Sequence, residues 1–259
     1  MQVRNADSMQ GTVLAWYAAN AQDFPWRETR DPYAILVSEV MLQQTQVSRV
    51  LPRYREWLER WPTVEALAAA SPGEVIRAWD GMGYNRRAIN LHRCAVAIAE
   101  VGGFPETPAE LETLPGIGPY TAAAIACFAF GAQVAAPDTN ARRVLGRAFG
   151  DPDVPPPPGR AYEWNQALFD LGREICIARR PRCNRCPLAE GCPSRGATYE
   201  PLRRQSRFEG SFRQRRARVL KAVSARQTLP LEGLDREVAE ALAADGLVVI
   251  GGGRVSLPE

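Results

Sequence analysis

The chain has 259 residues, 46% of them hydrophobic, enough to build one large domain or two ordinary ones plus an appendage. No run reaches 18 apolar residues, which argues against a membrane-spanning helix, and the polar stretch Met1–Gln10 has no apolar signal core, which points to a cytoplasmic protein whose thiols stay reduced. The net charge of +3 is unevenly placed: residues 200–228 hold nine Lys/Arg against Glu200 and Glu209, leaving the rest of the chain at −4, so this run suits either a polyanion or a solvated face.

Most of the chain reads as helix. Asp31-Pro32 is a start signal, an Asp cap with Pro at the first helical position. Helical apolar spacing then runs from Tyr33 to Trp57. Short helices are predicted over Thr63–Ala70 and from Ser71-Pro72 to Trp79. Gly81-Met82-Gly83 breaks the chain before a helix over Asn85–Val101. Thr107-Pro108 starts a short helix to Thr113, and a tight connection, Leu114 to Tyr120, leads into the apolar helix Thr121–Phe130. Helices follow over Asp138–Phe149 and Ala161–Ile177, separated by the proline-rich loop Pro152–Gly159. Cys176–Cys192 is irregular, and residues 193–210 read as a linker. The tail reads as helices over 212–225 and 235–245, then two short strands around Gly251-Gly252-Gly253, a small winged-helix-like module.

Four cysteines fall as Cys176-x6-Cys183-x2-Cys186-x5-Cys192. In a reduced compartment this set reads as a metal or cluster site; tetrahedral zinc and an iron–sulfur cluster both suit four thiolates, and two disulfides are the lesser use. Cys94 and Cys127 lie in apolar helices and read as core thiols, and His92, the single histidine, as structural. The glycines of Leu114-Pro-Gly-Ile-Gly118 permit either an ordinary turn between helices or a phosphate contact at the next helix start. Glu39 stands among Ile35, Leu36, Val37, Val40 and Met41; it is either a solvated helix edge or a carboxyl buried for a purpose, burial favouring its protonated form. Asp138 precedes a helix, where a capping carboxylate stays ionised. One proton donor and one fixed negative charge is the pair used to cleave glycosidic bonds. Gln43-Gln44-Thr45 is either an exposed polar helix face or a wedge (Gln44) and reader (Thr45) of bases.

Together these motifs resemble the helix-hairpin-helix DNA glycosylase superfamily, over about residues 10–197. The resemblance is carried by Phe24-Pro-Trp-Arg27, Asp31-Pro-Tyr33, Ser38-Glu-Val-Met-Leu-Gln-Gln-Thr-Gln-Val47, Gly81-Met-Gly-Tyr84, Leu114-Pro-Gly-Ile-Gly118, Asp138-x-Asn140 and the cysteine spacing. The run from Glu39 to Thr45 is similar to the adenine-removing, MutY-type branch. The resemblance implies an all-α, two-lobed fold with a [4Fe–4S] cluster held by Cys176, Cys183, Cys186 and Cys192, plus the small α/β tail. It implies a six-helix domain over residues 28–134, a cluster-bearing domain from residues 1–27 and 135–197, and a linker with a basic module over 198–259.

By the same resemblance Glu39 protonates adenine, Asp138 stabilises the sugar cation, and Tyr120 and Asn140 support Asp138. Arg27 and Gln166 line the base pocket, Gln44, Thr45 and Tyr84 fill or read the gap opposite, and the amides around Gly116 and Gly118 hold the DNA backbone. The implied partner is double-stranded DNA with a mismatch or lesion, met by a nucleoid-associated monomer with no membrane contact. Where the lyase-active branch has a hairpin lysine this chain has Tyr120, and its only lysine is Lys221, which argues against lysine-based strand cleavage. Asn85 and Thr139 depart from the adenine branch, and about 60 residues follow the cysteines in place of its larger Nudix-like domain, as in shortened adenine glycosylases. Thymine or uracil excision opposite guanine is the alternative activity, and a non-catalytic damage binder the alternative class.

Overall fold

In the computed structural model, residues 2–198 and 207–259 are described; the middle of the expected linker lies outside them. Twelve helices and three short strands occur among them: α1 (Gln2–Asn20), α2 (Pro32–Leu42), α3 (Val47–Arg60), α4 (Val64–Ala68), α5 (Pro72–Ala78), α6 (Arg86–Val101), α7 (Pro108–Leu111), α8 (Pro119–Phe130), α9 (Thr139–Ala148), α10 (Ala161–Glu174), α11 (Phe212–Arg226), β1 (Thr228–Pro230), α12 (Arg236–Ala244), β2 (Val249–Gly251) and β3 (Arg254–Ser256). No described helix is long and apolar enough to cross a membrane. The chain forms two compact units. The first takes residues up to Ile35, Glu106–Glu112 and the stretch from Gly118 through the cysteine loop; the second takes Leu36–Pro105, Thr113–Ile117 and the C-terminal residues from Arg207.

In the first unit, α9 and α10 pack on each other and α1 packs on α10. Met9, Val13 and Tyr17 recur at helical spacing on α1 and enter a core with Val144, Leu145, Trp164 and Leu168. The elements expected in chain order begin only at Asp31, so α1 is an addition to them. α8 packs here too, through α7 and α10, so residues 118–134 fall with the cysteine loop and not with the domain expected over 28–134.

In the second unit, α4 and α5 pack against α6, whose Leu91, Cys94 and Ile98 form its inward stripe. The C-terminal module is not a separate body. Val219, Leu220 and Val223 of α11, Val238 and Leu242 of α12, and Val255 share one core with Ile76 of α5 and Ile89 of α6. The approach is close enough that a Cβ on Gly73 would stand 2.7 Å from the Pro258 carbonyl oxygen. The sheet is antiparallel in the order β1-β3-β2, with Leu229 and Ile250 both opposite Val255. β1 adds to the two expected strands. It is three residues long and carries Pro230, tolerated because β1 is an edge strand.

The helix expected from Tyr33 to Trp57 is broken at Gln43–Gln46. Periodicity hides this break because its cause is distant. Arg87 caps the end of α2, donating from Nη1 to the carbonyl oxygens of Val40 (2.8 Å), Met41 (3.1 Å) and Gln43 (2.6 Å). Gln44 then turns through a left-handed φ of 55°.

Candidate active site

α2 begins with Asp31 accepting from the Tyr33 and Ala34 amides and runs through Ile35, Leu36 and Val37, all almost fully buried. Of the two readings of Glu39, the buried one holds: the residue is 6% exposed. Just beyond it, Gln44 is exposed, Thr45 is half-buried, and Tyr84 is 47% exposed.

Arg87 joins these pieces. Besides capping α2, its Nη2 donates to Thr45 Oγ1 (3.0 Å) and to the carbonyls of Gly83 (3.0 Å) and Met82 (3.3 Å), and its Nε to the Tyr84 carbonyl (3.4 Å). Its guanidinium lies over the rings of Trp79 and Tyr84, at 5.2 and 5.5 Å. Burial pushes its pKa down to about 10, which still leaves the group charged at neutral pH. One side chain thus fixes the Gln44–Thr45 turn against the Gly81–Tyr84 loop. Both surface residues of this pair, Gln44 and Tyr84, have positive φ, 55° and 48°. Sequence reasoning passed over Arg87. The available signal was its place on the apolar stripe of α6, followed by Leu91, Cys94 and Ile98.

The hairpin between α7 and α8 needs Gly116 twice over. Its φ is +78°, and a Cβ would stand 2.6 Å from Asn90 Cβ. Gly118 has no such demand; it precedes α8 as an N-cap without a side-chain hydrogen bond, so backbone alone forms this helix start.

In the first unit Asp138 caps α9. Its Oδ1 accepts from the Ala141 amide at 2.6 Å and its Oδ2 from Asn140 Nδ2 at 2.9 Å, so both oxygens are fixed. Asn140 is held in turn by Arg143, whose Nη1 donates to Asn140 Oδ1 (2.9 Å), Nη2 to the Gly172 carbonyl (2.7 Å) and Nε to the Cys176 carbonyl (2.8 Å). A hydrogen-bonded line therefore runs from Asp138 to the first cysteine of the loop. Gly172 allows it, because a Cβ there would lie 2.8 Å from Asn140 Cβ.

Tyr120 is half-buried, edge-on to Phe169 at 6.2 Å. Gln166 is buried on α10. Arg27 forms a two-pronged pair with Asp170, Nη1–Oδ2 at 2.8 Å and Nη2–Oδ1 at 2.9 Å, and donates to the Gln22 carbonyl; its Nε is buried without a hydrogen-bond partner. Its guanidinium is thus taken up largely by Asp170, a partner sequence reasoning missed. Of the expected residues, the first unit contains Arg27, Gly118, Tyr120, Asp138, Asn140, Gln166 and the four cysteines; the second contains Glu39, Gln44, Thr45, Tyr84 and Gly116.

Cys176, Cys183, Cys186 and Cys192 line one small cavity with Arg147, Leu171, Ile175 and Leu188. All six cysteines of the chain are free thiols, and Cys94 and Cys127 are buried in the core. No three His, Cys, Asp or Glu side chains among the described residues stand close enough to hold a metal ion together. The chemistry of the set nevertheless fits a thiolate-bound group. Each sulfur has an N–H facing it: Arg147 Nη1 at Cys176 (3.6 Å), the Gly196 amide at Cys183 (3.3 Å), and the backbone of Leu188 and Ser194 at Cys186 and Cys192. Burial pushes the Cys186 and Cys192 thiols up, a shift that a bound cation opposes.

The class of protein is shown by comparison with known families. The family described as HhH-GPD superfamily base excision DNA repair protein matches residues 37–165. Adenine DNA glycosylases resemble the chain further: that of Mycobacterium tuberculosis is 42% identical over 95% of this chain and 92% of its own length, and that of Mycolicibacterium smegmatis 46% identical over 80% and 78%. The chain belongs to the adenine DNA glycosylase family of that superfamily. A solved thermostable thymine-DNA glycosylase aligns with a TM-score of 0.66 at 30% identity, over 72% of this chain and 94% of its own.

Proposed function

We propose that this chain is a monofunctional DNA glycosylase that removes mispaired adenine, opposite 8-oxoguanine or guanine, by hydrolysing its N-glycosidic bond. The observation that carries the reading is the buried Glu39 carboxyl in an otherwise apolar stretch of α2, at the head of the run Glu39-Val-Met-Leu-Gln-Gln-Thr45. The target nucleotide leaves the stack to be reached. Glu39 donates a proton to the base, the glycosidic electron pair departs with it, and Asp138 faces the positive charge left on the sugar. Water adds to the sugar, leaving an abasic site. Asn140 and Tyr120 support Asp138; Arg27 and Gln166 line the base pocket; Gln44, Thr45 and Tyr84 occupy and read the gap opposite; Gly116 and Gly118 open the hairpin backbone to a phosphate. With Tyr120 at the hairpin and the only lysine on α11, no lysine Schiff base forms and strand cleavage is absent.

Cys176, Cys183, Cys186 and Cys192 are the residues that hold a [4Fe–4S] cluster. When bound, the cluster braces the loop that carries Arg179, Arg180 and Arg182 for phosphate contact. The protein acts as a monomer on double-stranded DNA in the cytoplasm, at the nucleoid.

The test is single-turnover base release from duplexes carrying A opposite 8-oxoguanine, A opposite G, T opposite G and U opposite G, with alkali added afterwards to cut abasic sites. Fastest adenine release is expected, and Glu39→Gln should abolish it while DNA binding persists. A second reading, thymine or uracil excision opposite guanine, is favoured by Asn85 and by the likeness to the thymine-DNA glycosylase; fastest thymine or uracil release would establish it in place of the first.

A further inference from the structure

Within the second unit, Gln43, Gln44 and the Asp80–Arg87 loop form one side of a groove of about 960 Å³. Its other side is α11, through Arg213, Arg216, Ala217, Leu220, Lys221 and Ser224. The C-terminal module therefore completes a groove whose first wall carries the exposed Gln44 and Tyr84.

The lining chooses the occupant. Arg49, Arg86, Arg213, Arg216 and Lys221 face two carboxylates, Asp80 and Asp245, in addition to the buried Arg87. Asp245 binds Arg216 at 2.5 Å and Arg86 at 3.4 Å, which ties the two walls together and leaves the lining net positive. Arg215, on the same helix, is paired with Asp235 and Glu237 inside the module and is absent from the groove lining. Two large aromatics, Tyr84 and Phe208, are 47% and 45% exposed at this groove. Cations for phosphates together with aromatic faces for bases are the combination that seats a polynucleotide strand. A solvated charge run would instead spread its arginines around the helix without a concave, two-walled surface.

We propose that the α11 wall of this groove, through Arg213, Arg216 and Lys221 of the C-terminal module, carries phosphates of one DNA strand, alongside the wall whose Gln44 and Tyr84 are already assigned to the gap opposite the target base. The proposal rests on the reading of the protein as a DNA glycosylase and adds a site to it. The test is equilibrium binding of the full-length protein to a fluorescent duplex carrying A opposite 8-oxoguanine, over a salt series, with base release measured in parallel. Arg213→Gln combined with Lys221→Gln should weaken binding about tenfold and flatten the log–log salt slope by about 2, one phosphate contact per residue removed. Arg218→Gln, which takes one charge from α11 outside the groove, should weaken binding less than threefold. The exchange Arg213→Lys with Lys221→Arg should restore the slope. Unchanged affinity and slope in the double Gln variant would overturn the proposal, as would an equal loss from Arg218→Gln. If the unaltered protein released no base from any duplex, the glycosylase reading would fail while the salt series still decided what the groove binds.

Discussion

Arg87 and Gln43 are joined by a 2.6 Å hydrogen bond, guanidinium to carbonyl, across 44 positions of chain. The contact terminates α2 just beyond Glu39. The same guanidinium serves Val40, Met41, Thr45, Met82, Gly83 and Tyr84. Arg87→Ala removes the partner of several carbonyls that have little water, at about 1–3 kcal/mol for each group left unsatisfied. The expected loss is about 3–5 kcal/mol in urea unfolding. Arg87→Lys keeps the charge but not the planar fork, and should lose about half as much. An alanine variant within 1 kcal/mol of the parent would show that water replaces the guanidinium freely.

Much of this architecture was legible in the sequence because it depends on local signals. Capping residues such as Ser71 and Thr107 and the Gly81–Gly83 break act over a few positions, and the helices they bound appear within a residue or two of their expected limits. The failures share a different cause. The break at Gln43–Gln46 is made by a side chain from α6, and Asp170, 1% exposed, looks like any helix carboxylate until Arg27 is brought to it. The joining of the tail to α5 and α6 depends on apolar residues whose partners lie some 130 positions away, such as Ile89 and Val219. At the candidate site, residue types suggested Glu39 and Asp138, but Arg87 and Arg143, which fix the Gln44–Thr45 turn and Asn140, resemble ordinary helix arginines in sequence.

Arg143 gives the second prediction. It anchors Asn140, whose amide fixes Asp138 Oδ2. A lost hydrogen bond to a charged group is worth about 1.5–3 kcal/mol; if that loss falls on the transition state, base release slows roughly 10- to 100-fold. Arg143→Ala should therefore slow single-turnover release with little change in DNA affinity. Arg147→Ala is the comparison, since Arg147 bonds the Ile177 and Ala178 carbonyls and Cys176 Sγ. Its activity should fall only as far as its iron content does. Equal rates in the parent and Arg143→Ala would remove the arginine from the support of Asp138.

Metal content gives the third. If the four thiols hold the proposed cluster, the purified protein should be yellow-brown, and Cys183→Ser should bleach it and expose the cysteine loop to proteolysis, because beyond Ala178 the loop then keeps only Leu188, Cys186 and Cys192 packed on the core. A colourless preparation containing stoichiometric zinc would replace the cluster with the other reading of four thiolates.

Gly172 gives the fourth, and here two effects oppose each other. In the interior of α10, replacing glycine by alanine normally stabilises a helix by roughly 0.5–1 kcal/mol. At Gly172 the new Cβ would stand 2.8 Å from Asn140 Cβ and 3.1 Å from the Asn140 backbone carbon and oxygen. Those are atoms of α9 itself, and no flexible side chain can swing aside to relieve the contact. Overpacking of this kind typically costs about 1–3 kcal/mol, so it outweighs the propensity gain. The net expectation for Gly172→Ala is destabilisation by about 1–2 kcal/mol in urea. The displacement would also move Asn140, and through it Asp138, so base release should fall further than stability does. Gly146→Ala on α9 separates the two terms, because a Cβ there meets nothing within 4 Å. That variant should be stabilised or unchanged, with base release unaltered. If Gly172→Ala behaved like Gly146→Ala, α9 and α10 would be free to part without cost, and the fixed geometry ascribed to Asp138 would have lost its support.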